Sequence, residues 1–180
     1  GSLDRQMSRS GPPTILMDHC FLGSAEEEET ALGSPFLILV DNASEALYCV
    51  AVPTKGCTPW VVEYVYSVLC ELGYAGIAVS MKCDQAPELK ELRRQVSLRR
   101  SAPTVPIDVP VRESKANGAV ERAVKTWQGQ FRTLKSHMEH SIGKQLDKKH
   151  PIFQWMAWWS ASLLNRVAIK EHGRTVFEHT

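Results

Sequence analysis

Asp18, Asp84 and Glu121 are the side chains of this sequence best placed to do chemistry. Asp18 breaks the apolar stretch Ile15-Leu16-Met17 to Cys20-Phe21-Leu22, where a purely structural strand would keep Val or Leu. Burying it without a partner would be costly, a conflict that a bound cation removes. Asp84 closes the run from Ile77 to Cys83, and sites in open α/β folds assemble at the carboxyl ends of such strands. Glu121 follows the polar Asn117-Gly118 and stands near the start of a long helical pattern, with 36 residues (85–120) between it and Asp84. Carboxylates are the ligands that Mg²⁺ and Mn²⁺ prefer, so an Asp, Asp, Glu series points to hard-cation chemistry.

The elements that must position these acids are read from period and punctuation. Asp18-His19 interrupts a first strand beginning near Thr14, and both Asp18 and Asp84 are expected at strand ends. Phe36–Val40 and Leu47–Val52 read as two strands around Asp41-Asn42-Ala43-Ser44, where Asp41 is a turn former before it is a ligand. Glu26 to Glu29 and Gly33-Ser34-Pro35 read as an exposed hairpin loop, because adjacent acids repel and a hard-cation site needs convergent ligands on a shaped backbone. Thr58-Pro59 should cap and open a helix that Leu72-Gly73 closes, with Val61, Val65, Val68, Leu69 and Leu72 facing the sheet. The apolar run from Gly76 to Met81 suits a strand covered on both faces. A helix from Pro87 to Arg100 ends in Arg93, Arg94, Arg99 and Arg100, which suit either the negative helix end or contact with DNA.

Thr104–Val109 reads as a short strand and Pro110–Ala116 as a loop holding Arg112, Glu113 and Lys115. From about Gly118 to Ile142, Val120, Val124, Trp127, Phe131, Leu134 and Met138 recur in steps of four and three and form one apolar helix face. Glu121, Lys125, Gln128 and Arg132 fall in a second stripe beside it. Glu121 and Lys125 also suit an ordinary i,i+4 pair, worth ~0.2–0.5 kcal/mol. Lys144–His150 reads as a charged connector, and Pro151 begins a last helix that Gly173 can end. Trp155, Met156, Trp159, Leu163 and Val167 are expected on its packed side, with Trp158 needing a further surface. Little charge precedes Arg166, so core or subunit packing explains the tryptophans better than base stacking does.

The run Asn117-Gly118-x-x-Glu121-Arg122, with the spacing of the three acids, resembles the catalytic core of retroviral and retrotransposon integrases, a branch of the RNase H-like polynucleotidyl transferases. The resemblance covers about Thr14 to the C-terminus. Asp84-Gln85-Ala86-Pro87-Glu88-Leu89 is similar to the family's Asp-Asn-Gly-x-Glu-Phe turn, with Gln85-Ala86 replacing Asn-Gly, and Leu163-Leu164-Asn165-Arg166 also recurs in integrases. The fold implied is α/β and RNase H-like, a five-stranded mixed sheet flanked by helices on both faces. The resemblance implies that Asp18, Asp84 and Glu121 are the catalytic and metal-ligating acids, holding two Mg²⁺ or Mn²⁺ ions with Asp18 between them. Lys125 matches a DNA-contacting lysine one turn beyond the glutamate, and Asn117, Gln128, Arg132, Lys115 and Arg112 are the further expected DNA contacts. Glu113 competes with Glu121 but lacks its context and a rigid element to hold it.

The activity implied by the resemblance is DNA 3′-end processing and strand transfer, with water and then a DNA 3′-hydroxyl as nucleophile. Its partners would be double-stranded element ends and target DNA and further copies of the chain, as a homodimer or higher oligomer, inside the cell and in a eukaryotic nucleus. Two other functions stand beside it: a domesticated, non-catalytic DNA-binding or scaffolding module, and an RNase H-type nuclease that cleaves without joining. Retention of all three acids speaks against the first, and the Asn-Gly-x-x-Glu-Arg helix start against the second.

Composition agrees with one core domain. At 180 residues and 43% apolar content the chain suits a single core, expected over residues 14–180. Gly1-Ser2 resembles the remnant of a cleaved tag, and residues 1–13 are expected to form a tag remnant and flexible tail of a segment excised from something longer. No apolar run approaches the ~18 residues of a membrane span. The net charge of +1 hides an asymmetry: residues 91–180 carry 16 basic against 8 acidic side chains, a net of +8, which beside a carboxylate cluster favours phosphate contact. Cys20, Cys49, Cys57, Cys70 and Cys83 lack metal-ligand spacing and read as reduced thiols, and His137 and His140 read as surface residues. The zinc-binding and DNA-binding domains that flank complete integrase cores have no visible pattern here.

Overall fold

The computed structural model describes residues 11–22, 35–108, 118–147, 150–170 and 173–179. The acidic stretch Glu26–Glu29, the loop with Arg112, Glu113 and Lys115, Asn117, and most of the N-terminal tail lie outside them. Five strands form one mixed sheet: β1 (Thr14–Cys20), β2 (Phe36–Asp41), β3 (Leu47–Ala51), β4 (Val79–Cys83) and β5 (Thr104–Asp108), in the order β3-β2-β1-β4-β5. The first three pair antiparallel, while β4 runs parallel to both β1 and β5. The expected α/β architecture is therefore the one observed.

Strand alternation divides the core in two. Ile15, Met17, Leu37, Leu39, Val79 and Met81 point to a face covered by α1 (Pro59–Glu71) and α2 (Pro87–Arg99). Leu16, Cys20, Phe36, Ile38 and Val40 point to the opposite face, under α3 (Gly118–Ile142) and α4 (Ile152–Val167). A short α5 (Val176–His179) follows. The expected face of α3 packs as anticipated: Val120, Trp127 and Phe131 are buried, and Val124, Leu134 and Met138 flank them. The Trp127 indole N–H donates to the Ala157 carbonyl at 3.0 Å, so the one polar atom of this large side chain is satisfied inside the core.

Several local expectations are corrected. Asp18 is not at a strand end, since β1 continues to Cys20. Ile77 is 48% exposed and outside β4, because the strand runs two residues later than the apolar run suggested. Thr58 occupies the cap position of α1, yet its hydroxyl is buried without a partner, and its carbonyl accepts from Val61 and Val62 instead. α4 ends at Val167, well before Gly173, whose positive φ of 79° serves the turn that precedes α5.

The packed side of α4 also differs. Met156, Ala157, Ser160, Ala161 and Leu164 are buried, whereas Trp155 is 45% and Val167 67% exposed. Small side chains let the helix approach the sheet closely, which bulky indoles would prevent. Asn165 completes the contact: its carbonyl oxygen accepts from the Leu47 N–H at 2.9 Å and its amide donates to the Leu47 carbonyl at 2.8 Å. That pair covers two backbone groups on the free edge of β3.

The arginines of α2 serve the fold. Arg93 is buried and donates to the carbonyls of Ile107 (2.9 Å) and Met81 (3.4 Å) and to the Asp108 carboxylate (2.7 Å). Arg94 pairs with Glu91, Arg99 with Glu63, and Arg100 donates to the Tyr74 and Ile77 carbonyls. Asp41 is fully buried as a turn former, accepting from the Ser44 N–H and hydroxyl, the Ala43 N–H and the Tyr74 hydroxyl.

Candidate carboxylate site

The sheet places the two aspartates by register. Thr14 lies opposite Ser80, Ile15 opposite Met81 and Leu16 opposite Lys82. Carrying that parallel register two residues further aligns Asp18 with Asp84, which follows the last residue of β4. Alternation fixes their side: Asp18 shares a face with Leu16 and Cys20, the face that α3 covers. Glu121 sits in the first turn of that helix and is exposed. The three acids thus approach one end of the sheet from two adjacent strands and a helix start.

Their charges act on one another. Burial pushes the Asp18 carboxyl up to about 6, and the neighbouring charges of Asp84 and Glu121 push the same way. The His19 N–H, donating to Asp18 Oδ1 at 2.8 Å, and the nearby Lys55 ammonium oppose the rise. Asp84 turns Oδ1 to the Ala86 N–H at 2.9 Å, closing the turn that leads into α2. The expected convergence is incomplete, however: among the described residues no three His, Cys, Asp or Glu side chains are gathered closely enough to hold a metal ion. Like charges resist close approach, and both aspartates direct one oxygen to backbone.

The donor chemistry nevertheless fits a hard divalent cation. All three are carboxylates, and the half-buried Asp18 carries the combined cost of desolvation and two like charges that a cation would reverse.

The fold bears a specific likeness. A chain in the cryo-EM structure of the simian T-cell lymphotropic virus intasome in complex with PP2A regulatory subunit B56 gamma superposes with a TM-score of 0.66 at 11% identity. The match covers 92% of this chain and 52% of that one, so this chain spans about half its length. At that identity the likeness speaks of fold. No protein-family model matches the sequence, and no curated protein matches it.

Of the other expected site residues, Lys125 and Arg132 are exposed on α3 on the same stripe as Glu121. Gln128 is half-buried, and its amide donates to the Phe21 carbonyl at 2.8 Å, which fastens α3 to the end of β1. It is a tie between elements rather than a free contact. Asn117, Lys115 and Arg112 lie outside the described residues.

Sequence reasoning missed three neighbours of the acids: Lys55, His19 and Glu88. Lys55, on the loop after β3, stands with its ammonium 4.9 Å from the centre of the Phe21 ring and acts electrostatically on both Asp18 and His19. Burial lowers the His19 pKa and Lys55 adds to this, while Glu88 and Asp84 raise it. One signal for Lys55 was present: it is the only Lys or Arg between Arg9 and Lys82.

Proposed function

We propose that this chain is the catalytic core of an integrase-type polynucleotidyl transferase, acting on double-stranded DNA in 3′-end processing and strand transfer. The observation that carries this reading is the common field of Asp18, Asp84 and Glu121 at one end of a sheet whose fold resembles an intasome chain. Asp18, Asp84 and Glu121 would hold Mg²⁺ or Mn²⁺, two ions in all, and such ions stabilise the charge of attacking and leaving oxygens in phosphodiester displacement. The protein's own part is to orient. The parallel register levels the aspartates, and Gln128 fixes the helix that brings Glu121 and Lys125 alongside. Lys125 and Arg132 supply exposed positive charge for phosphate on the same helix stripe. The setting of this activity would be a nuclear assembly of several copies on element ends and target DNA.

A second reading, a non-catalytic DNA-binding or scaffolding module on the same fold, draws on the exposure of Glu121 and on the incomplete gathering of the acids. One experiment separates the two. Duplex oligonucleotides are incubated with the chain in Mn²⁺, and nicked and joined products are resolved by size. The integrase reading expects both products, and their loss in Asp18→Asn and Asp84→Asn. Duplex binding without any cleavage in the parent chain would select the module, and undiminished products in either variant would remove the acids from the mechanism.

A further inference from the structure

We propose that Lys55 is a phosphate-holding residue of the carboxylate site, contacting the DNA backbone from the loop after β3 and adding to the basic stripe of α3. The inference rests on the reading of the chain as a DNA-acting protein and adds a contact from an element that reading did not use.

Three observations meet at Lys55. The first is isolation: from residue 10 to residue 81 no other Lys or Arg occurs, so its position beside the acids is not the chance product of a basic segment. The second is placement. Its ammonium stands over the Phe21 ring, 4.9 Å from the centroid, and Phe21 follows the strand that carries Asp18. The Phe21 carbonyl is in turn held by Gln128, one turn beyond Lys125 on α3. A single residue therefore links Lys55 to the helix that carries Glu121 and Lys125. The third is availability. Lys55 is exposed, and no ion pair among the described residues includes it.

A face-on aromatic contact steadies an ammonium without occupying its three N–H donors. The Gly56 N–H donates to the Thr54 hydroxyl at 3.2 Å, so the loop has local order around the lysine. A lysine beside acids that would hold divalent cations faces like charge once they are loaded, and a DNA phosphate drawn to both offsets it. Lysine serves such a phosphate as a point charge on a flexible stem, tolerant of sequence and register.

The test is duplex binding by the whole 180-residue chain, followed through fluorescence anisotropy of a labelled oligonucleotide between about 50 and 300 mM KCl. Lys55→Met keeps an apolar stem on Phe21 and removes the charge, whereas Lys55→Arg keeps the charge. We expect Lys55→Met to weaken binding several-fold and to reduce the slope of log K against log salt by about one, with Lys55→Arg retaining the parental slope. Thermal melts equal to the parent's verify folding of this exposed-site variant. A Lys55→Met chain with parental affinity and slope would overturn the inference while leaving the DNA reading intact. Failure of the parent chain to bind duplex at any salt would overturn both.

Discussion

Asp18 on β1 and Asp84 beyond β4 stand at the same level of two adjacent parallel strands, and the charge of Asp84 raises the proton affinity of Asp18. Burial first, and then the charges of Asp84 and Glu121, make the folded state bind a proton at Asp18 more tightly than the unfolded chain does. Between about pH 4 and 6 the native state holds the extra proton, so this group's contribution to stability falls as pH rises through that window and stays low above it. A move from 3.8 to about 6 corresponds to at most about 3 kcal/mol, which solvent at a half-buried carboxylate reduces to about 1–2 kcal/mol. Asp18→Asn should accordingly melt higher than the parent above pH 6, with the difference shrinking towards pH 4. A difference independent of pH would mean that the gain has another origin.

Cation binding should be visible in the same melts. Mn²⁺ binding the native state is expected to raise the melting temperature of the parent by about 2–5 °C at neutral pH. Protons compete for Asp18, so the rise should weaken as pH falls through about 6. Asp18→Asn and Asp84→Asn should lose it. An equal Mn²⁺ response in both variants would place any ion elsewhere.

Much of this site was legible in the sequence because it depends on short-range order. The acids are marked by apolar surroundings, and helical period correctly gave the buried face of α3. What could not be read is whatever depends on distance across the fold. Arg93 and Arg100 look like a basic helix end, yet both are anchored on backbone carbonyls contributed by other segments. The face of α4 was misjudged because size was taken for burial: at close range to β3 it is Ala157, Ser160 and Ala161 that fit. Lys55 showed in the sequence only as an isolated cation, since a loop lysine acquires its meaning from the ring and the acid it lies beside.

Arg93 gives a direct test of that long-range anchoring. Its guanidinium is buried at one end of an ion pair whose other partner, Asp108, remains accessible, and it also satisfies the Ile107 carbonyl. Arg93→Ala removes these bonds from β5 and should destabilise the fold by about 2–4 kcal/mol. Arg93→Lys should recover only part, because an ammonium lacks the planar fork that reaches two partners. Urea unfolding measures both. A loss below about 0.5 kcal/mol in Arg93→Ala would show that β5 is held by its ladder alone.

The outer surface of α4 provides the last prediction. Trp155 and Trp159 stack at 5.7 Å with their planes 14° apart, and Trp158 tilts against Trp159 at 5.8 Å. Trp155 and Trp158 each remain 45% exposed, an unusual display of indole on a water-facing helix. Trp158 also borders a cavity of about 510 Å³ between β3, α1, α4 and α5, into which Tyr64 of α1 and Phe177 also face. The Tyr64 hydroxyl is buried there without a partner. Exposed indoles beside a cavity whose lining mixes Val68, Leu72 and Ala161 with Glu71 and Arg166 suit coverage by another protein surface, and under the integrase reading proposed above a second copy is the partner. Sedimentation over a micromolar concentration series should show self-association of the parent, and Trp158→Glu should weaken it at least tenfold by placing a charge in the apolar contact. A monomer at every concentration, or association unchanged by the substitution, would reject this face as the interface.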